Sequence, residues 1–258
     1  MTPILSIIIP QYKTLELIRL CIRAIKQFSM LHPEIIVVDN NSKDASLDYL
    51  KKIKNITLIE NKRKCHGADA HKLALDLGVK KARGQWILLF HSDSIVLKKG
   101  WDEYLIDLTK NYPGTIGATT IYRDINPFAP WYAKLLRYFK EKSSFFKYTF
   151  NTTDKKIMSY CFLIERQFFL KTGYEFHGSK GDVGDSLYQT HIKNKKPFIL
   201  IGRKMLNRFI WHTSNATSLA AGLMSDEKSK QKFLHKRNQL LSSNIISSLL
   251  QNKALDKR

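Results

Sequence analysis

The sequence predicts an α/β protein in which a doubly wound, mostly parallel sheet is flanked by helices. One observation is that short apolar runs alternate with segments of helical periodicity over about the first ninety residues, in a βαβαβαβ order. Another is that residues 86–90, WILLF, are apolar without alternation, which is typical of a strand buried on both faces. Strands separated by helices imply right-handed crossovers and parallel pairing.

The first strand is predicted at residues 5–9, where β-branched residues precede a turn that begins at Pro10. Apolar residues then recur at helical spacing on one face, which predicts the first helix. The second strand, residues 34–39, ends in the carboxylate of Asp39. Residues 40–44 are of helix-capping types, so a second helix is expected after them.

The third strand is predicted at residues 56–59, and the third helix is expected to close near Gly78. The central strand follows and stops at His91, Ser92 and Asp93. Ligands bind outside the carboxyl ends of strands in open α/β sheets, so these three residues are candidates for ligand binding. The alternative is that they only end the strand and cap the next helix.

Composition limits the class of protein. A chain of 258 residues with 43% hydrophobic residues supports one large domain, or a domain with an extension. The net charge of +21 indicates an anionic partner, which is a nucleic acid, a membrane surface or a phosphate-bearing substrate. The three cysteines are widely spaced, which argues against a disulfide framework or structural zinc and favours a reducing, cytoplasmic setting. No apolar stretch reaches the ~20 residues that span a bilayer, so any membrane contact is expected to be peripheral.

The absence of two nucleotide-binding motifs, together with carboxylates at the ends of two strands, limits the class of ligand. The first turn, residues 10–14, contains no glycine, and no Walker loop is present, which argues against nicotinamide chemistry and ATP hydrolysis. Asp39 can accept hydrogen bonds from a ribose or a base; the alternative is a turn or helix-capping residue. Asp93 can hold magnesium or manganese against a diphosphate. Together they predict a nucleoside-diphosphate site.

Four stretches in order carry a family resemblance, and they cover about the first hundred residues. They are SIIIPQYK, IVVDNNSKD, GADAHK and ARGQWILLFHSD, at residues 6–13, 36–44, 67–72 and 82–93. The chain resembles family-two nucleotide-sugar glycosyltransferases of the GT-A fold, including rhamnosyltransferases and other surface polysaccharide enzymes. It departs from the family at Lys13 and Lys72, where asparagine is common, and at His91, where aspartate is usual.

The resemblance implies roles for individual residues. Asp93 and His212 are the implied ligands of a divalent cation, Mn or Mg. His91 is implied to contact ribose or phosphate, or to bind the metal as neutral imidazole. His212 can also be a structural hydrogen-bonding residue. The implied nucleotide-sugar contacts are Pro10, Tyr12, Asp39, Asn41, Lys72, His91, Ser92 and Arg237.

The second half is implied to form the C-terminal acceptor-side region. A strand at residues 157–164 leads to an acidic motif in which Asp182 is the candidate general base of an inverting transfer and Asp185 the reserve. Alternatively, Asp182 caps the helix predicted at residues 183–193. Arg237 can pair with a phosphate, or it is a solvated helix charge.

We expect three regions: a nucleotide-sugar-binding half at residues 1–125, an acceptor-side half at 126–222, and a C-terminal helical extension at 223–258. The insert at residues 131–150 is dense in aromatic and basic residues. It is interpreted as a membrane-surface element, as a lid on the acceptor, or as an ordinary amphipathic helix. The apolar face of the C-terminal helix, around residues 240–250, suggests a second peripheral or oligomer contact.

The expected function is inverting transfer of a hexose or deoxyhexose from a nucleoside-diphosphate sugar to a saccharide or lipid-linked acceptor in surface polysaccharide biosynthesis. The expected location is cytoplasmic, with peripheral contact at the inner face of the membrane. A catalytically degenerate protein that binds nucleotide sugar or glycan is the alternative, because His91 and Gly181 replace acidic residues of the family. A nucleic-acid-binding protein is a further alternative from charge alone. No nucleic-acid motif supports it, so no nucleic-acid partner is expected.

Overall fold

The computed structural model describes residues 2–63, 65–112, 114–122, 147–148, 156–214, 216–222 and 226–257. The strands are β1 (Leu5–Gln11), β2 (Glu34–Asp39), β3 (Thr57–Glu60), β4 (Trp86–Phe90), β5 (Ser94–Val96), β6 (Gly117–Tyr122), β7 (Lys147–Tyr148), β8 (Lys156–Glu165), β9 (Ile199–Gly202) and β10 (Ile210–His212). The helices are α1 (Leu15–Phe28), α2 (Ala45–Lys52), α3 (Gly67–Lys81), α4 (Trp101–Lys110), α5 (Arg166–Thr172), α6 (Val183–Lys193), α7 (Arg203–Leu206), α8 (Ala216–Ala220), α9 (Glu227–Leu241) and α10 (Asn244–Gln251), followed by a 3-10 turn at Lys253–Asp256.

The central sheet has the order β3-β2-β1-β4-β8-β6-β9-β7 within the described residues. Strands β1 to β4, β6 and β9 run in one direction, whereas β8 and the two-residue β7 run in the other. The predicted doubly wound, mostly parallel α/β sheet is therefore confirmed. Strands β5 and β10 form a separate antiparallel pair beside it.

Two apolar cores cover the two faces of this sheet. Along β4, Leu88 and Phe90 pack into the core with α1 and the C-terminal helices, whereas Ile87 and Leu89 pack into the core with α3 and α6. Side chains alternate across a strand, so a strand with helices on both faces must be apolar at every position. This requirement explains the unbroken WILLF run.

The prediction that the third helix closes near Gly78 is wrong. Helix α3 continues through Gly78 and ends at Lys81. At Gly78 the helix crosses β1 so closely that a Cβ atom would lie 2.3 Å from Cγ2 of Ile8. The glycine therefore allows a close approach of helix to sheet and does not end the helix.

The C-terminal apolar face packs mostly within the chain. The single helix expected here is broken at Ser242 and Ser243, and Ile246 and Leu249 are buried in the core that includes α1. Arg23 of α1 also pairs with the carboxylate of Asp256. Most of this face is consequently not the free peripheral or oligomer contact suggested by the sequence.

The insert at residues 131–150 lies outside the described residues except for 147–148, and so does the expected boundary at residues 125–126. The predicted domain boundaries therefore stay predictions. Among the helices in the described ranges, none combines the length and the apolar character needed to cross a bilayer.

Candidate active site

A cavity of about 680 Å³ lies at the carboxyl ends of β1, β2 and β4. Its volume is within the range of pockets that bind small molecules. The loops after these parallel strands form one wall, and the start of β8 and the N-terminus of α6 form another. Most of the residues singled out in the sequence meet here: Pro10, Tyr12, Asn41, Lys72, His91, Ser92, Asp93, Asp182 and His212.

Asp39 is not part of the cavity lining, although Gln11, which pairs with it on β1, and Asn40, which follows it, are. Its carboxylate is fully buried and accepts hydrogen bonds from Gln11 Nε2 at 3.1 Å, from Ser42 Oγ at 2.6 Å and from Ser42 N at 2.9 Å. These contacts organise the turn after β2 and match the turn-residue interpretation of Asp39. Direct contact of Asp39 with a nucleotide stays a prediction.

Asp185 and Arg237 are likewise outside the cavity lining. Asp185 Oδ1 accepts a hydrogen bond from the backbone N–H of Ile157 at 3.1 Å, which ties α6 to the start of β8. Arg237 Nε donates to Glu16 Oε2 at 2.8 Å, so the guanidinium joins α9 to α1. Both residues therefore make contacts within the chain and lie outside the cavity lining, and their predicted catalytic and phosphate-binding roles stay predictions.

Asp182 is exposed and lines the cavity just before α6. Asp182 occupies the N-cap position of this helix, but among the described residues its side chain makes no capping hydrogen bond to the helix. The helix approaches β8 through Gly184, where a Cβ atom would lie 2.3 Å from the carbonyl oxygen of Ile157. This close packing places the Asp182 carboxylate beside the cavity.

His91, Asp93 and His212 form a cluster whose ligand-type atoms all lie within 4.8 Å of one another. Asp93 Oδ1 is 3.2 Å from His212 Nε2 and 4.0 Å from His91 Nδ1. The antiparallel pairing of β10 with β5 sets His212 opposite Ser94 and thereby beside Asp93. Residues from distant parts of the chain thus meet at one point.

The surroundings favour a neutral imidazole at His91 and at His71 and an ionised carboxylate at Asp93. Burial, reinforced by His71 and His212, lowers the pKa of His91 to about 3, and burial lowers the pKa of His71 to about 4. Burial by itself raises the pKa of Asp93, but attraction to His212 and His91 outweighs it and holds this pKa well below its ordinary value. Neutral imidazole and carboxylate are the forms that bind metals.

The residues fit a divalent cation. Nε2 of His212 is buried and has no hydrogen-bond partner among the described residues, and its contact with Asp93 lacks hydrogen-bond geometry. A buried nitrogen without a partner is costly unless a further group binds it. An imidazole nitrogen that faces a carboxylate oxygen in this way is well suited to coordinate a metal.

The sequence did not single out His71 or Ser159 as site residues. His71 lies within the GADAHK stretch, and its ring packs edge-on against His91 with ring centroids 5.3 Å apart. Ser159 Oγ lies 3.2 Å from His91 Nε2. Ser159 carried no sequence signal, because its place beside His91 depends on the insertion of β8 next to β4.

Comparison with known proteins points to one family. The sequence model described as glycosyl transferase family 2 matches residues 6–172. A poly(ribitol-phosphate) beta-glucosyltransferase of Bacillus spizizenii is 35% identical over 98 residues, and the putative glycosyltransferase EpsH of Bacillus subtilis is 32% identical over 96 residues. Each alignment covers 36% of this chain, but only 15% and 26% of the respective relatives.

Solved structures show the same fold. S. aureus TarS 1–349 superposes with a TM-score of 0.58 at 15% identity, over 96% of this chain and 75% of that one. Its complex with UDP gives a TM-score of 0.56. The mannosyltransferase PcManGT from Pyrobaculum calidifontis, in complex with GDP-Man and Mn2+, gives 0.56 at 15% identity, over 98% of this chain and 76% of that one. The predicted GT-A fold is confirmed by these neighbours.

Proposed function

The chain belongs to glycosyl transferase family 2, and from this premise we propose that it is an inverting glycosyltransferase. The reaction moves a hexosyl or deoxyhexosyl residue from a nucleoside-diphosphate sugar to a saccharide or lipid-linked acceptor in surface polysaccharide biosynthesis. A nucleotide-sugar donor is supported by the structural neighbours solved with UDP and with GDP-Man.

The proposal is carried by one observation: the cavity that holds the His91, Asp93 and His212 cluster also holds the Asp182 carboxylate. Inverting transfer needs a carboxylate on the acceptor side and a means of stabilising the diphosphate on the donor side. Pro10, Tyr12 and Asn41, at the ends of β1 and β2, are proposed to contact the nucleoside.

Asp182 is the proposed general base. Its carboxylate accepts the proton of the acceptor hydroxyl while that oxygen attacks the anomeric carbon from the side opposite the diphosphate. The exposure of Asp182 leaves room for an acceptor to approach it from solvent. Asp185 is a weaker candidate, because it already accepts a backbone hydrogen bond outside the cavity lining.

Three side chains would hold the divalent cation: His91, Asp93 and His212. When bound, a cation supplies positive charge that stabilises the departing diphosphate. Asp93 contributes the negative charge, and the two imidazoles position the site without adding charge. Asp93 and His212 are buried at the cavity, whereas His91 is half-buried.

The acceptor and the location belong to the same proposal. The net charge of +21 supports an acceptor, or a membrane surface at the acceptor, that carries negative charge. A location at the cytoplasmic side of a membrane would bring such an acceptor to the cavity.

The first test is calorimetric titration with UDP, GDP and dTDP, with and without manganese. We expect one nucleotide to bind the wild-type chain, with manganese strengthening the binding and Asp93→Ala removing that effect. Transfer from the matching nucleotide sugar is then measured for Asp182→Asn. This variant should keep donor binding and lose transfer by 100-fold or more, on the order expected for removal of a general base.

Asp69→Asn is the matched control, because Asp69 is an exposed carboxylate on α3 outside the cavity lining. It should keep both binding and transfer. Wild-type transfer by Asp182→Asn would remove the proposed base. Binding of a nucleotide without transfer by the wild-type chain would favour the degenerate binding protein instead.

A further inference from the structure

The cluster in the cavity has an unusual balance of donor atoms for a site that faces a diphosphate. Two of its three ligand-type side chains are imidazoles, and only Asp93 supplies oxygen. Mg2+ prefers oxygen ligands and keeps its waters, whereas imidazole favours first-row transition metals. The identity of residue 91 is decisive, because a carboxylate there would restore an oxygen-rich site.

We propose that His91, Asp93 and His212 form a transition-metal site that selects cations with high affinity for imidazole, such as Co2+ or Zn2+, over Mg2+. Mn2+ should bind with intermediate affinity, following the general order of stability for nitrogen and oxygen ligands. The inference rests on the cation part of the proposed function. Two histidines and one carboxylate leave further coordination positions open, and diphosphate oxygens can occupy them.

Each histidine of the cluster has a serine hydroxyl beside one ring nitrogen, and its other ring nitrogen faces Asp93. His91 Nε2 is paired with Ser159 Oγ at 3.2 Å, which leaves Nδ1 toward Asp93. His212 Nδ1 lies 3.4 Å from Ser214 Oγ, which leaves Nε2 toward Asp93. Outer hydrogen bonds of this kind fix the tautomer and the ring orientation of metal-binding histidines.

The carboxylate is held in the same manner. Asp93 Oδ2 accepts hydrogen bonds from Thr213 Oγ1 at 3.1 Å and from the Ala216 backbone N–H at 3.4 Å. Oδ1 remains on the side of the two imidazoles. The arrangement therefore presents two nitrogens and one oxygen, each supported from behind, as in a preorganised metal site.

The spacing of His212 and Asp93 agrees with this assignment. A cation with bonds of 2.0–2.2 Å holds adjacent ligand atoms roughly 3 Å apart, and His212 Nε2 and Asp93 Oδ1 are separated by 3.2 Å. His91 Nδ1, at 4.0 Å from the same oxygen, is wider than this spacing by about 1 Å. The ring of His91 is half-buried, whereas the ring of His212 is buried.

The test measures metal binding by the full chain, so it does not depend on transfer. After treatment with a chelator, the protein is titrated with Mg2+, Mn2+, Co2+ and Zn2+ alone, and Co2+ binding is followed by visible absorption as well as calorimetry. We expect Co2+ and Zn2+ to bind at least 100-fold more tightly than Mg2+. His212→Ala should abolish the Co2+ spectrum, and Ser159→Ala should weaken Co2+ binding 10-fold or more.

His91→Asp is the decisive variant, because it exchanges nitrogen for oxygen at one position. It should weaken Co2+ binding and strengthen Mg2+ binding, so that the ratio of the two affinities falls at least 10-fold. His235→Ala, which removes an exposed histidine of α9, should leave the ratio unchanged. Circular dichroism and thermal unfolding confirm that each variant is folded.

Two results would overturn the inference: equal binding of Mg2+ and Co2+ by the wild-type chain, or an unchanged ratio in folded His91→Asp. Neither result bears on whether the chain transfers sugar. Conversely, the expected metal selectivity in a chain that transfers no sugar would refute the proposed function and leave the metal assignment in place.

Discussion

Lys72 donates a hydrogen bond from Nζ to the carbonyl oxygen of Ser179 at 2.5 Å, and so joins α3 to the loop that leads to Asp182. One helical turn further on, the Asp76 carboxylate accepts hydrogen bonds from the backbone N–H groups of Phe176 and His177, both at 2.8 Å. Helix α3 therefore holds this loop at two points. The position of the proposed base depends on a helix that does not itself carry the base.

Replacing Asp76 with alanine should destabilise the protein and impair transfer. The buried N–H of Phe176 would lose its acceptor, and a buried donor without a partner costs about 1–3 kcal/mol. We expect the free energy of unfolding in urea to fall by this amount. Because the loop would no longer be held, kcat should fall more than donor affinity.

Lys80→Ala is the control for Asp76→Ala. It breaks the exposed ion pair between Lys80 and Glu175, which links the same helix to the same loop. Exposed pairs contribute little, so stability and kcat should stay near the wild-type values. A similar loss of kcat in both variants would mean that the loop is sensitive to any change on α3, and that Asp76 has no particular role.

The pair between Arg23 and Asp256 should fasten the C-terminal helices to α1. Arg23 Nε donates to Asp256 Oδ1 at 2.8 Å, and Nη1 donates to the Leu249 and Leu250 carbonyl oxygens at 3.1 and 2.6 Å. The arginine side chain is buried and the aspartate partly exposed. Arg23→Ala should lower the free energy of unfolding by about 3 kcal/mol, near the lower end for a broken buried pair.

Donor binding provides the second measurement for Arg23→Ala. Neither partner lines the cavity, so the affinity for nucleotide at low temperature should equal that of the wild-type chain. The control is Lys51→Ala, which removes an exposed ion pair with Glu60 and should change neither quantity. Loss of nucleotide affinity in folded Arg23→Ala would show that the C-terminal helices influence the cavity.

The close crossing of α3 and β1 at Gly78 gives a third prediction. In an exposed helix, glycine to alanine would add about 1 kcal/mol of helix stability. Here the added methyl would overlap Ile8 Cγ2, and overpacking of a core costs about 1–3 kcal/mol. Gly78→Ala should therefore be destabilising in urea unfolding.

A double-mutant cycle with Ile8→Ala tests the cause. Truncating the Ile8 side chain should relieve the overlap. Gly78→Ala should therefore lower the free energy of unfolding less in the Ile8→Ala background than in the wild-type chain. Additive effects of the two substitutions would contradict a direct clash between these residues.

The first four strands could be predicted because each is linked to the next by a local helical crossover, and the apolar runs mark their positions. The insertion of β8 between β4 and β6 could not, since Cys161 pairs with Phe90 from a distant part of the chain. Strand β5 was missed because three residues carry no periodicity, yet its pairing with β10 brings His212 to Asp93. The sequence could therefore identify His91, Asp93 and His212 individually as candidate ligands, but it could not predict that they lie in one cluster.

For Asp39 and Arg237, the sequence indicated a polar role but did not identify the partner within the chain. The family resemblance implies a nucleotide-sugar contact for each, and the sequence also left open a turn or capping role for Asp39 and a solvated helix charge for Arg237. The structure shows Asp39 engaged with Gln11 and Ser42, and Arg237 paired with Glu16. Charge and motif position indicate where a polar side chain is needed, but not whether its partner is a ligand or another part of the chain.

His191 should make stability depend on pH. Its buried ring stacks on Phe168 with centroids 4.4 Å apart and meets Phe198 edge-on at 4.6 Å, and Nδ1 lies 2.8 Å from the Leu187 carbonyl oxygen. Burial lowers the pKa of His191 from 6.5 to about 4, although the hydrogen bond to Leu187 partly opposes this. The folded state therefore resists protonation of the ring, whereas the unfolded state accepts the proton at its ordinary pKa.

The direction of the effect follows from this difference in pKa. The contribution of neutral His191 is complete above the unfolded pKa and is lost as the pH falls from 6.5 toward about 4. Between pH 7 and pH 5 this linkage amounts to about 2 kcal/mol. Phenylalanine cannot be protonated. Between pH 7 and pH 5, His191→Phe should therefore lose about 2 kcal/mol less unfolding free energy than the wild-type chain, whatever its stability at pH 7. His235→Gln, at an exposed site, should retain the wild-type loss, and an equal loss in His191→Phe would refute the assignment.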